Sequence, residues 1–347
     1  MTGLLLPAIY RDDEGNPIST QSMIKTFRRC PKQAQYKYVD RLKPRVLGKP
    51  LREGDWGHKL FETHYKGGDW RETHAQLTAK FATYMDEERE MVGDLPRTMA
   101  RFMRSYLWHY ANDPWKVLDT EFMLEAELPN GHIFRVKIDL LVEDQFGLWL
   151  VDHKFNKKLP DLSQRIKDVQ SAMYMWAAIR NKLKVNGFIW NYIRRKPPTI
   201  PQLTKAGRLS YRAIDTDYPT LLTALKQYDI NPQLHKDWLL RLKRQRFVHG
   251  APQQSTFFRR NIIERNPEML RHFAREALHT SKRMHEYPFD IPDIVERVPD
   301  TSCSFSCSYN EICTLEAFGG DTRNLRRQRY EVVDPLYYYE DDPKVER

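Results

Sequence analysis

The stretch FRVKIDLLVEDQFGLWLVDHKF, Phe134 to Phe155, constrains this chain more than any other. It reads as two β-strands joined by a turn, with Asp139 on the first and Asp152 and Lys154 on the second. Successive side chains of a strand point to opposite faces. Phe134, Val136, Ile138, Leu140 and Val142 are therefore expected on one apolar face, and Asp139 on the other. Asp152 and Lys154, two residues apart, share a face. Leu148-Trp149-Leu150-Val151 is a continuous apolar run, the pattern of a strand buried on both sides. Charges emerging at the end of such a strand are costly to desolvate unless they are paired or bind a metal. Two carboxylates and an amine converging beside one hairpin suit a hard divalent cation, and a phosphate diester that needs both cation and ammonium next to it.

The chain has 347 residues, enough for one large domain or two moderate ones. Charged residues make up 29% of it, and the mean hydropathy is −0.70. No apolar run approaches the roughly 18 residues of a membrane span, so no transmembrane helix is expected. The start, MTGLLLPAIYRDDEG, lacks a basic region and a small-residue cleavage site, and a cytoplasmic protein is expected. The net charge of +10 favours a polyanionic partner, although the last stretch, Tyr337 to Glu346, is acid-rich. No Gly-rich phosphate loop of Walker type is present, which argues against a built-in ATPase motor.

Three of the four cysteines, Cys303, Cys307 and Cys313, lie in the short polar segment CSFSCSYNEIC, and Cys30 stands near the N-terminus. Nothing points to secretion, so disulfides give way to metal. Four thiolates suit either zinc or a [4Fe-4S] cluster. Zinc sites usually pair two close C-x-x-C-like knuckles. Three local ligands and one remote one favour the iron–sulfur cluster, with Zn²⁺ as the alternative occupant. Either would tie the first helix to the C-terminal segment.

Residues 19 to 42 open with Ser19 or Thr20 as a helix N-cap and continue with helical spacing interrupted at Pro31. Glu53 to Tyr65 begins a second helix, in which Gly54 and Gly57 allow close backbone approach before His58. His58 and Glu62 share a face. Residues 70 to 112 read as mostly helical, and Glu121 to Leu128 as a strand before the turn Pro129-Asn130-Gly131-His132. Leu162 to Leu183 reads as one helix with its apolar stripe at Ile166, Val169, Met173 and Ala177. Gln170 and Tyr174 sit together beside that stripe. Gly187 to Arg195 is a further strand, ending in a basic cluster, Arg194-Arg195-Lys196, that suits phosphate contact. The order βββαβ predicts an α/β core. Residues 200 to about 290 read as mostly helical and rich in Lys and Arg.

Gly54-x-x-x-His58, Asp139, Asp152-x-Lys154 and Gln170-x-x-x-Tyr174, in this order, resemble the RecB-type branch of the PD-(D/E)XK nucleases. The enclosing Cys30 … Cys303-x₃-Cys307-x₅-Cys313 resembles the iron–sulfur staple of the CRISPR-associated and AddB-like members and of related phage exonucleases. The resemblance covers residues 19–195 and 300–315. It implies a restriction-endonuclease-like α/β core, a central mixed sheet flanked by helices, with added helical regions and a C-terminal Fe-S segment. It divides the chain into an N-terminal helical region (1–115) carrying Cys30 and His58, a nuclease core (116–196), a helical insertion that helps hold DNA (197–295), and the cysteine segment with the acidic tail (296–347).

The same resemblance implies that His58, Asp139 and Asp152 bind Mg²⁺ or Mn²⁺, with the Val151 carbonyl helping. Lys154 would orient the attacking water or stabilise the pentavalent phosphate, while Gln170 and Tyr174 support the site. Glu121 would take an acidic position at the start of the core sheet. Where the family often has a small glycine before the first aspartate, this chain has Val136-Lys137. The implied function is a metal-dependent DNA exonuclease acting on single strands or duplex ends, in recombination, repair or phage DNA processing, with recombination or replication proteins as partners. A structure-specific or nicking endonuclease would use the same site. A non-catalytic iron–sulfur DNA-binding scaffold is the reading from another class, and the presence of both Asp152 and Lys154 speaks against it.

Overall fold

β-Branched and aromatic residues crowd the middle of the chain, where they form its sheet. The computed structural model describes residues 10–336, except 12–13, 161, 211–213, 252 and 335. The acid-rich stretch Tyr337–Glu346 and residues 1–9 of the N-terminal stretch lie outside the described residues.

The N-terminal part runs β1 (Ile18–Thr20), α1 (Gln21–Arg29), a short α2 (Pro31–Ala34) continued by a π-helical turn (Gln35–Val39), and β2 (Leu42–Pro44). Then come α3 (Lys49–Tyr65), α4 (Trp70–Ala82), α5 (Asp86–Val92) and α6 (Leu95–His109). The centre contributes β3 (Lys116–Glu127), β4 (Ile133–Asp144), β5 (Gly147–Asn156), α7 (Leu162–Ile166), α8 (Val169–Arg180) and β6 (Val185–Arg194). Beyond it lie α9 (Tyr218–Gln227), α10 (Lys236–Lys243), β7 (Phe258–Ile263) and α11 (Pro267–His285). The chain continues with α12 (Cys303–Ser306), α13 (Asn310–Ala317), α14 (Arg323–Arg329) and β8 (Tyr330–Val332). Local signals set several of these boundaries. Thr20 Oγ1 accepts the Met23 N–H and starts α1, and Asp168 caps α8 through the Gln170 and Ser171 N–H groups.

The fold is α/β, a central mixed sheet flanked by helices. Strands run in the order β1-β4-β5-β6-β7, with β3 paired along the other edge of β4. β1 is parallel to β4 and β5 to β6; the remaining pairs are antiparallel. One face carries α8 and α11 over Phe134, Val136, Ile138, Leu150, Phe188 and Trp190. The opposite face carries α3 and α6, with Trp56, Phe61 and Phe102 in their core.

Four features depart from the pattern read off the sequence. Phe134, Val136 and Ile138 pack with α8, but Leu140 and Val142 pack in a different core with Trp149, Val151 and Ile189. The alternation therefore slips by one residue around Asp139, and the five do not share a face. The single helix expected over 162–183 is two helices meeting at a corner at residues 167–168, and Ile166 is exposed rather than on the stripe. The stretch 197–295 holds helices and also strand β7, which pairs with β6 inside the central sheet. The basic end of β6 is already matched: Arg194 pairs with Asp215 and Arg195 with Glu53.

Candidate active site

A gap in the sheet makes the site. β3 follows one edge of β4 along most of its length. On the other edge, β1 pairs only with Ile133–Arg135 and β5 only with Leu140–Asp144. Asp139 sits at the lip of that gap, one residue past the last β4–β5 pair, Leu140–Val151. Its Oδ2 accepts the His153 N–H at 2.6 Å, which closes the end of the ladder. Asp139 is 6% exposed, so a carboxylate without such a donor would be costly here.

Glu121 lies opposite Asp139 in the β3–β4 register, between the pairs Thr120–Leu140 and Phe122–Ile138. Its φ of +52° is a left-handed conformation, strained for a non-glycine residue in a strand. The ligand atoms of His58, Glu121 and Asp139 all lie within 4.8 Å of one another, the one such group among the described residues. α3 delivers His58 because Gly57 packs directly against the Phe155 ring; a Cβ there would sit 2.0 Å from Phe155 Cζ. A Cβ on Gly54 would meet nothing within 4 Å outside its own helix backbone, so only one of the two glycines serves close approach.

Asp152 and Lys154 lie on β5, on the α8 side. Lys154 Nζ is 2.5 Å from Asp152 Oδ2, and Gln170 Nε2 donates to Asp152 Oδ1 at 2.6 Å. Asp152 thus stands beside the first cluster, with its two oxygens held by Lys154 and Gln170. Tyr174, one turn after Gln170, is buried and packs its ring on Phe188. Val151 is fully buried and paired with Leu140 and Ile189. Lys137, standing in place of the small residue, pairs with Glu121 at 3.4 Å.

The electrostatics are those of crowded, buried carboxylates. Burial and the Asp152 charge push the Asp139 carboxyl well above its ordinary range. Burial, with Asp139 adding to it, pushes Glu121 up to about 7. Burial and the Lys154 ammonium hold the His58 pKa down, so its ring is neutral, the form that ligates metals. For Lys154, burial acts downward but Asp152 and Asp139 outweigh it, and the net direction is upward. His58 Nδ1 is buried, makes no hydrogen bond, and ends 3.4 Å from Asp139 Oδ2. A neutral imidazole with an orphaned nitrogen among carboxylates is a donor set that fits a divalent cation.

Several residues around this cluster carry no signal in the sequence motifs. His153, between Asp152 and Lys154, points to the α3 face. There it stacks on Tyr65, and its Nδ1 lies 2.8 Å from Asn191 Nδ2, which also donates to the Tyr106 hydroxyl. Alternation thus puts a polar ring in the core of that face, where it is buried. Arg165 lies over the Trp190 and Tyr192 rings at 5.1 and 5.2 Å, and Lys154 shares the Trp190 ring at 5.4 Å.

Away from this cluster, the N-terminal helical part is joined to the C-terminal part of the described chain. β2 pairs with β8, Arg29 donates to Ser302 Oγ, and Tyr36 donates to Glu316. Cys30 is thereby brought to the segment of Cys303, Cys307 and Cys313, and none of the four is in a disulfide. Burial pushes the Cys307 thiol up, and nearby Cys303 and Cys30 add to the rise.

Among the described residues no helix is long and apolar enough to cross a membrane. No curated protein matches the chain. A solved structure from Eubacterium rectale, described as a candidate exonuclease, is similar at 14% identity and a TM-score of 0.34, over 73% of this chain and 86% of that one. The model of the PD-(D/E)XK nuclease superfamily matches residues 19–314, a span that contains every side chain of the cluster and all four cysteines. The chain belongs to the PD-(D/E)XK nuclease superfamily.

Proposed function

We propose that this protein is a metal-dependent DNA exonuclease that acts on single strands or duplex ends in recombination, repair or phage DNA processing. The observation that carries the reading is the convergence of His58, Glu121 and Asp139 within 4.8 Å beside the Asp152–Lys154 pair. Members of the superfamily use divalent metals such as Mg²⁺, and here His58, Asp139 and Asp152, with Glu121 and the Val151 carbonyl, would hold Mg²⁺ or Mn²⁺. When bound, such an ion supplies polarisation of the phosphoryl oxygens and a lowered pKa for water. The chain's own groups do the remaining work. Lys154 presents a donor to the scissile phosphate or its attacking water. Gln170 fixes the rotamer of Asp152, the Tyr174 ring backs α8 against the sheet, and the His153 N–H orients Asp139. Recombination or replication proteins are its expected partners, and the cytoplasm its expected location.

End-labelled single- and double-stranded DNA and a closed circle, each incubated with chelator, Mg²⁺ or Mn²⁺, test this. We expect the linear substrates to shorten from their ends only with metal, and the circle to persist. A circle nicked as fast as linear DNA is cut would make the enzyme an endonuclease, and Asp152→Ala protein cutting at the parental rate would remove the site.

Cys30, Cys303, Cys307 and Cys313 would hold a [4Fe-4S] cluster, which when bound joins the two ends of the fold. Iron and sulfide analysis after anaerobic purification checks this assignment. Stoichiometric zinc in place of iron would assign the four thiols to Zn²⁺ instead.

A further inference from the structure

The corner between α7 and α8 is held by a side chain from a distant part of the chain. Arg265 lies between β7 and α11 and is 9% exposed. Its Nη1 donates to the Ile166 carbonyl at 2.8 Å. Its Nη2 donates to the carbonyls of Asp168 at 3.0 Å and Arg165 at 3.3 Å and to Ser171 Oγ at 3.0 Å. The guanidinium carbon lies over the Phe273 ring on α11, 4.8 Å from its centre. A planar fork of donors suits several convergent carbonyls in a way that a lysine cannot match.

What Arg265 grips is the start of α8. Asp168 caps that helix, its Oδ1 accepting the Gln170 N–H at 2.9 Å. Gln170 then reaches Asp152 Oδ1 at 2.6 Å. The same corner sets Arg165, paired with Asp168 at 3.1 Å, over the Trp190 ring that Lys154 also covers. Without the fork, the Ile166 carbonyl loses its Arg265 donor, the Arg165 carbonyl keeps the Asp168 N–H and the Asp168 carbonyl keeps the Ser171 hydroxyl, and this part-buried corner relaxes toward water.

We propose that Arg265 is a positioning residue for the nuclease site: through the α7–α8 corner it sets where Gln170 holds Asp152. The inference rests on the proposed nuclease reading. It gives the 197–295 stretch a role in the active site itself, through the β7–α11 connection.

The test is a double-mutant cycle of Arg265→Met with Gln170→Ala, read as kcat and KM for end-labelled DNA at saturating Mn²⁺, with Asp152→Ala as the control. Arg265→Met is expected to lower kcat by about tenfold to a hundredfold, the range found when a supporting partner is lost, with KM little changed. In the Gln170→Ala background it should lower kcat by no more than about threefold, since the two act on one group. Arg265→Lys should fall between wild type and Arg265→Met, and it carries the same cycle if the methionine variant does not fold. An unchanged kcat, or a full multiplicative loss on top of Gln170→Ala, overturns the proposal. If instead Asp152→Ala keeps parental activity, the nuclease reading itself has failed, whatever Arg265 does.

Discussion

Asp139 and Asp152 differ in what holds them, and the difference predicts how each will respond to substitution. Asp139 is anchored by a backbone N–H, whereas Asp152 is held by two side chains, Lys154 and Gln170. Alanine at Asp139, Asp152 or Lys154 should each reduce cleavage by on the order of a thousandfold, the scale of losing a group that stabilises transition-state charge. DNA binding measured by fluorescence anisotropy should stay within a few-fold of wild type. Loss of binding in parallel with cleavage would assign these residues to substrate affinity instead. Asp139, Asp152 and Lys154 are legible in the sequence because they stand on strands whose flanking residues are apolar. Glu121 is harder to place, since its carboxylate joins His58 and Asp139 through a left-handed backbone that no alternation rule produces. His153 is invisible to a motif read two residues at a time, because its contribution is a main-chain donor.

At the scale of elements, α3 packs on β5 through the rings of Phe61 and Tyr65 against His153, and Gly57 lies directly under the Phe155 ring. Gly57→Ala should destabilise the protein by about 1–3 kcal/mol through overpacking. Gly54, three residues earlier in the same helix, has open space where a Cβ would sit, and the same change there should stabilise by up to about 1 kcal/mol. Urea unfolding of the two variants is expected to move the midpoint in opposite directions. Equal shifts would mean that the helix does not approach the sheet at Gly57. The helix is legible in the spacing and its glycines allow close approach, but which of them faces the sheet depends on how α3 rotates against β5. The break between α7 and α8 shows a similar limit. The apolar positions over 162–183 fit one helical stripe, yet Asp168 supplies a cap in the middle of it, and a cap begins a helix by ending whatever precedes it.

At the scale of the whole molecule, α11 returns from the far end of the chain to seal β1 against the sheet. Ser19 on β1 contacts Ser281 at 2.8 Å and His285 at 3.0 Å, and Ser281 in turn contacts His132. Burial, with His132 adding to it, lowers the His285 pKa to about 3. The folded state therefore resists a proton that the unfolded chain accepts below about pH 6.5, so this group costs stability increasingly as pH falls from 6.5 toward 3. Between pH 7 and pH 5, wild type should lose about 2 kcal/mol more than His285→Gln, the difference between the two urea-unfolding curves isolating this ring. Parallel curves would mean that His285 is protonated without opening the fold.

The sequence alone determined the strands and most helices around the site, the chemistry of its donors, and the family to which they belong. Those features rest on alternation, caps and residue type, which act over a few residues. The tertiary structure alone decided the slip of alternation at Asp139, the gap between β1 and β5, the entry of β7 into the sheet and the grip of Arg265 on a corner about a hundred residues away. These depend on which faces bury one another when the whole chain closes, and a burial partner chosen across that distance leaves no periodic trace in either segment.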